Sequence, residues 1–218
     1  FWGYYPPSPP ACGAIFRGAF MAKREPLLIP SISQNVWPWL TIGVTVGLAV
    51  ILLQSQGRSW LCTCGYVLLW AGDIWSSDNS QHLFDPYSFT HVLHGVVFYA
   101  LLAWSLPRLT ASWRLAIALA IEAGWEVIEN AEFIIQRYRE TTLALGYNGD
   151  TIINSLTDIL LCAVGFWLAQ QLGFRRSALL FVATELILIF WIRDSLILNV
   201  LMLLYPIEAI KAWQMGAM

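Results

Sequence analysis

Charge is scarce in this chain. Lys, Arg, Asp and Glu supply 12% of its 218 residues, about half the roughly 25% usual in soluble domains. A net charge of -2, with no basic stripe and interleaved aromatics, excludes a nucleic-acid binder. Cysteine is sparse too. Cys12, the Cys62/Cys64 pair and Cys162 stand in very different contexts, which argues against a disulfide framework. Cys62-x-Cys64 lacks the CxxC spacing of metal and redox motifs and reads as a structural pair of small residues. The opening residues lack the charged, apolar and small-residue order of a signal peptide. The nucleophile elbow, the zincin helix, the phosphate loop and the dinucleotide fingerprint are all missing, and no internal repeat recurs at a fixed period.

Apolar surface is what the chain has in excess: 58% of residues are hydrophobic and the mean hydropathy is +0.61. A water-soluble fold of this size cannot hide that much, so lipid is the expected solvent. Twelve Trp, several near the ends of apolar runs, fit interfacial belts. A crossing helix needs about 20 mostly apolar residues. Five stretches qualify, at roughly 37 to 54, 89 to 106, 113 to 133, 151 to 172 and 178 to 204. Pro107-Arg108, Arg137-Tyr138-Arg139-Glu140, Gly173-Phe174-Arg175-Arg176 and Pro206 mark their ends. The expected fold is all-α: an integral membrane bundle of about five transmembrane helices, with a long structured non-cytoplasmic loop between the first and second. Tyr66 to Ala71 is too short to span and reads as interfacial or re-entrant. Residues 1–36 form an N-terminal extension and lead-in, residues 37–206 one membrane domain, and residues 207–218 a tail. Met21 looks like a more natural start, which makes residues 1–20 an expected upstream extension.

Basic residues in short loops set orientation. Arg17, Lys23 and Arg24 precede the first span, Arg108 and Arg114 separate the second from the third, and Arg175 and Arg176 the fourth from the fifth. With those segments cytoplasmic, the N-terminus is inside and the C-terminus outside. Arg137 and Arg139 on the opposite side weaken the rule locally.

Ionisable groups within spans cost at least about 2.5–3.5 kcal/mol each, so they face partners, cavities or pathways. His91 and His94 sit on one face at the start of the second span. Glu122, Glu126 and Glu129 run along the third with Asn130 beside them, Asp150, Asn154 and Asp158 repeat every four residues into the fourth, and Arg193, Asp194 and Asn199 lie late in the fifth. Alternating helix direction delivers all of these to the non-cytoplasmic side, which reads as one shared polar site. His91, His94 and Glu126 are the candidate ligands of a divalent metal (Zn, Mn or Fe). Glu126, Glu129, Asp150 and Asp158 are the candidate acid–base groups, and Arg193, Asn130, Asn154 and His82 the candidate substrate contacts, with Arg193 on an anion. Structural readings compete: the histidines as hydrogen-bonded anchors, the Glu stripe as a seam paired with Arg193 or Arg137, and Asp150 as an N-cap. The segment from Asp73 to His82 reads as a cap over the site, contributing Asp78 or His82, or as a solvated loop.

Five segments together resemble a known family: Cys64-Gly65-Tyr66-Val67; Asn79-Ser80-Gln81-His82 followed by Ser88-Phe89-Thr90-His91-Val92-Leu93-His94-Gly95; Trp125-Glu126-Val127-Ile128-Glu129-Asn130; Gly146-Tyr147-Asn148-Gly149-Asp150-Thr151; and Ile192-Arg193-Asp194-Ser195-Leu196. In order and spacing they are similar to bacterial uncharacterised protein family 0314, or domain of unknown function 2585, over roughly residues 60 to 206. The resemblance implies a multi-pass bacterial inner-membrane protein and supplies no reaction. From the polar residues, the expected function is a metal-assisted hydrolase or transferase acting on lipid or lipid-linked substrates. The alternatives are a small proton-coupled transporter and a non-catalytic accessory subunit whose buried charges fix helix register.

Overall fold

A computed structural model describes residues 36–216 as helices joined by turns and one long loop, with no strand among them beyond a single isolated bridge between Trp70 and Phe84. The helices are α1 (Trp37–Ser55), α2 (Ser88–Ser105), α3 (Ala111–Glu129), α4 (Glu132–Thr141), α5 (Ile152–Leu172), α6 (Phe174–Ile192), α7 (Leu196–Leu204) and α8 (Glu208–Gln214). The expectations for residues 1–20 and for Arg17, Lys23 and Arg24 lie outside the described residues.

Local chemistry explains several boundaries. Thr110, Thr151 and Ser195 each accept a hydrogen bond from the backbone N–H three residues on, capping α3, α5 and α7. Gly173, at φ 72°, ends α5 and turns the chain directly into α6.

Three helices, α1, α2 and α5, are long and apolar enough to cross a membrane, and α6 with α7 passes the same test as a pair bent by 72°. Helix α3 has a comparable length of 19 residues but carries Arg114, Glu122, Glu126 and Glu129. The burial pattern is inverted relative to a soluble protein. Phe190 is 84% exposed and Leu204 75%, while Glu122 and Glu126 are wholly buried. Such an apolar exterior belongs against lipid.

Two expected spans are interrupted. The third stops at Glu129, turns at Asn130 and the extended Ala131, and restarts as α4, so the expected loop from 134 to 150 is largely helical up to Thr141. The fifth breaks at Arg193-Asp194-Ser195. Arg193 adopts a left-handed conformation (φ 56°), and Ser195 starts a new helix. Both carboxylate oxygens of buried Glu185 accept the leading N–H groups of α7, from Leu196 at 2.9 Å and Ile197 at 3.2 Å. A negative charge there complements a helix N-terminus and holds the bend.

Helices α2 and α5 pack so closely that side chains are excluded at two points. A Cβ on Gly95 would overlap the carbonyl oxygen of Cys162, and one on Gly165 would overlap that of Val92. Away from the polar end, Ala49, Leu102, Leu115, Leu119, Ile159 and Phe166 form a continuous apolar core. Contrary to expectation, Cys62 and Cys64 are joined by a disulfide. Tyr66 to Ala71 is not helical and runs beside Leu83 and Phe84 through backbone hydrogen bonds such as Ala71 N to Phe84 O at 2.8 Å.

Candidate metal and acid–base site

The first turns of α2, the last turns of α3 and the first turns of α5 meet at one end of the bundle. Thr151 and Asp85 fix two of these ends. Asp85 Oδ1 accepts from the backbone N–H of Tyr87 (2.8 Å) and Ser88 (3.2 Å), and Oδ2 from Ser80 (3.0 Å). It thus caps α2 and ties the preceding loop to it. Burial pushes its carboxyl above the usual range, against the pull of those three donors.

A cavity of about 70 Å³ opens between these ends. Its lining includes His91 and His94 from α2, Glu129 from α3, Asp150, Asn154 and Asp158 from the start of α5, and Asn199 from α7. Among the described residues, no Lys or Arg lines it.

Glu122 organises the histidines. Its carboxylate lies 2.6 Å from His91 Nδ1 and 2.9 Å from His94 Nδ1. A carboxylate only accepts, so each imidazole carries a proton on Nδ1, and in the neutral form the lone pair of Nε2 is free for a metal. His91 Nε2 then faces Asp158 Oδ2 at 3.8 Å. That separation suits two ligands on one cation at about 2.0–2.2 Å from each.

Glu126, one turn further along α3, is fully buried, and neither of its oxygens accepts a hydrogen bond. Its nearest basic atom, His91 Nδ1 at 3.4 Å, is committed to Glu122. Donor atoms of His91, Glu126 and Asp158 lie within 4.8 Å of one another, and so do those of Glu126, Glu129 and Asp150. The expected set of His91, His94 and Glu126 is therefore divided. His91 joins His94 through Glu122, and Glu126 through Asp158.

Asp150 is held rather than free. Its backbone N–H donates to Asn130 Oδ1 at 2.7 Å, and its carboxylate accepts from Asn130 Nδ2 at 2.8 Å and from the Tyr147 hydroxyl at 3.0 Å. Asn130, expected to touch substrate, is instead the clamp on Asp150. Burial raises the Asp150 carboxyl to about 6, although the Asn130 and Tyr147 hydrogen bonds favour its ionised form. The turn that presents it depends on Gly149, at φ 84°, where a Cβ would also strike Arg58 and Asn130.

Two expected site residues lie elsewhere. Arg193 is at the α6–α7 corner, where its Nη1 donates to the Trp213 carbonyl at 3.1 Å. It borders an open groove with Asp73 and Trp75 and does not line the acidic cavity. Because the helix breaks there, its side chain leaves the line of the polar face. His82 is buried beside the Cys62–Cys64 disulfide, its Nδ1 accepting the Leu68 N–H at 3.2 Å. The loop nonetheless covers the site, through Asn79 and Ser80 rather than Asp78 or His82. Gln81 Nε2 donates to the Gly149 carbonyl at 2.8 Å, and the Thr151 N–H to the Ser80 carbonyl at 3.1 Å.

Sequence reasoning assigned no separate part to Glu122, Asp85 or Tyr147. Glu122 stood in the Glu stripe with Arg193 or Arg137 as its expected partners, where the structure gives it His91 and His94, and the Asp85-Pro86-Tyr87-Ser88 segment has the form of a helix start.

Residues 53–216 match the family described as "Protein of unknown function (DUF2585)". A UPF0314 protein of Paracoccus denitrificans (strain Pd 1222) is 48% identical over 176 residues, covering 81% of this chain and 91% of the relative. Another from Sphingopyxis alaskensis is 46% identical over 178 residues, covering 82% and 95%. One from Rhizobium meliloti (strain 1021) is 43% identical over 181 residues, covering 83% and 91%. No solved structure matches the chain.

Proposed function

Given that this chain belongs to the DUF2585 family, we propose that it is a metal-assisted hydrolase or transferase of the bacterial inner membrane. Its substrates are lipids or lipid-linked molecules, reached from the periplasmic side. The bundle crosses five times, through α1, α2, α3, α5 and α6, with the N-terminus cytoplasmic and the C-terminus periplasmic. On this reading α7 lies against the mouth of the site.

One observation carries the proposal: the buried, hydrogen-bond-free carboxylate of Glu126 among His91 and Asp158. An uncompensated buried charge costs several kcal/mol. A divalent cation held by His91 Nε2, Asp158 and Glu126 removes that cost and would polarise a substrate oxygen or activate water. The chain's own residues do the rest. Glu122 fixes the tautomers of His91 and His94, and Glu129 and Asp150 stand at the cavity wall to take and return a proton.

Two features count against the alternatives. A conduction path needs polar groups to continue across the bilayer, but beneath the site Leu115, Leu119, Ile159 and Phe166 close the bundle. An accessory subunit with charges serving only register would leave its carboxylates paired off, which Glu126 is not.

Metal analysis of detergent-purified protein tests this reading. The wild type is expected to hold stoichiometric Zn, Mn or Fe, and Glu126→Gln and His91→Ala to lose it. A folded wild type that takes up none of the three sinks the proposal.

A further inference from the structure

The acidic cavity has more ligands than one cation needs. Glu126 belongs to two donor sets, His91–Glu126–Asp158 on one side and Glu126–Glu129–Asp150 on the other. Its two oxygens are both free of hydrogen bonds, so each can serve a different set. Carboxylates commonly bridge pairs of cations in helical bundle cores, where ligands project inward from facing helices. We infer that the cavity holds two divalent cations bridged by Glu126, and that the ligand this pair receives is a phosphoryl group. The inference rests on the metal-dependent reading of the same site and deepens it, with Glu129 and Asp150 serving as ligands of the second cation in place of the acid–base role given them above.

Charge supports the second cation. Glu122, Glu126, Glu129, Asp150 and Asp158 converge with His91 and His94 alone, and Asp85 lies at the cavity wall as well. With its carboxylates ionised, as metal ligands must be, this constellation stays strongly anionic around one divalent cation. Two bring it close to balance and leave coordination positions open toward the cavity.

The lining then selects the ligand. Among the described residues no Lys or Arg reaches the cavity, so beyond its histidines an anion is attracted there through bound cations. Yet one donor waits for an acceptor. Asn154 is 2% exposed, lines the cavity, and its amide nitrogen Nδ2 has no hydrogen-bond partner. A ligand that offers several anionic oxygens to two cations and one more to Asn154 is a phosphoryl group. Trp125, Leu196 and Val200 give the same cavity an apolar wall, suited to the chain of an amphiphile that carries the phosphate.

The test uses full-length protein in detergent, stripped with chelator and then dialysed against Mn²⁺. Two Mn²⁺ per chain, with an electron paramagnetic resonance spectrum broadened by spin coupling, are expected for the wild type. Glu129→Gln/Asp150→Asn should hold one, with an uncoupled six-line spectrum. One Mn²⁺ per chain in the wild type overturns the paired centre and leaves the metal-dependent reading standing; no Mn²⁺ overturns the paired centre, and no uptake of Zn²⁺ or Fe²⁺ in the same dialysis overturns both. On Mn²⁺-loaded wild type, binding of inorganic phosphate and of phosphatidic acid in mixed micelles is then measured. Binding of either supports the phosphoryl assignment, and binding of the micellar lipid alone identifies a headgroup as its source. Asn154→Ala should weaken whichever binds by about tenfold. If neither binds the loaded protein, the phosphoryl assignment is wrong.

Discussion

Replacing Glu126 by Met should change stability in opposite directions with and without divalent cation. The carboxylate is fully buried and accepts no hydrogen bond, so in chelator an apolar side chain of similar volume should raise stability by about 1–3 kcal/mol. For a protein of this size each kcal/mol moves the melting temperature by about 2–4 °C, which gives a rise of roughly 2–12 °C. Free cation at about 1,000 times its Kd stabilises the wild type by about 4 kcal/mol. The variant has lost the shared ligand and gains little, so the order of melting reverses. The twelve Trp make intrinsic fluorescence a suitable readout, and both proteins are scanned at one rate in one detergent, because membrane proteins often unfold irreversibly. If the Met variant melts below wild type in chelator, Glu126 has a partner that the geometry does not contain. If Zn, Mn and Fe all leave the wild type unmoved, the carboxylate is structural.

Glu122→Gln keeps one carbonyl oxygen for the imidazoles but removes the charge that holds both Nδ1 protons and puts an amide donor at the other carboxylate position; metal affinity should fall about 10–100-fold, measured by competition with a chelating dye. Gly95→Ala should force α2 from α5, costing at least about 1–3 kcal/mol and weakening metal binding as His91 leaves Asp158; thermal melts and the same titration read both, and an unperturbed Ala variant contradicts the close packing. Asp85→Ala removes three backbone acceptor contacts and should destabilise by about 2–4 kcal/mol, seen as loss of hydrogen-exchange protection in the first turn of α2. Tyr66 donates to Asp78 at 2.8 Å, and that carboxylate opposes a phenolate, so Tyr66 should ionise above the usual 10 and Asp78→Asn should bring it back down; absorbance titration of wild type against Tyr66→Phe follows it, and an unchanged midpoint in the Asn variant refutes the pairing.

The convergence of polar groups was legible because it needs only two quantities that sequence supplies, the approximate length of each apolar run and the spacing of charges along it. Once helix direction alternates, His91, Glu126 and Asp158 share a depth whatever the detailed packing. Rotation between helices is another matter. Whether the histidines meet Glu122 or Glu126 depends on how far α3 turns about its axis, and residues one helical turn apart cannot be distinguished without the neighbour's coordinates. Continuous hydropathy concealed the break in the fifth span, although Asp194-Ser195 before Leu196 has the chemistry of a helix start. That break matters for function. With Arg193 turned to Trp213, the acidic cavity has, among the described residues, no fixed cation beyond protonated histidine. Whatever neutralises Glu126, Glu129, Asp150 and Asp158 must be a proton or an ion that arrives from outside. A site that borrows its positive charge can be switched by the supply of that ion, which makes metal dependence the property to measure before any substrate is sought.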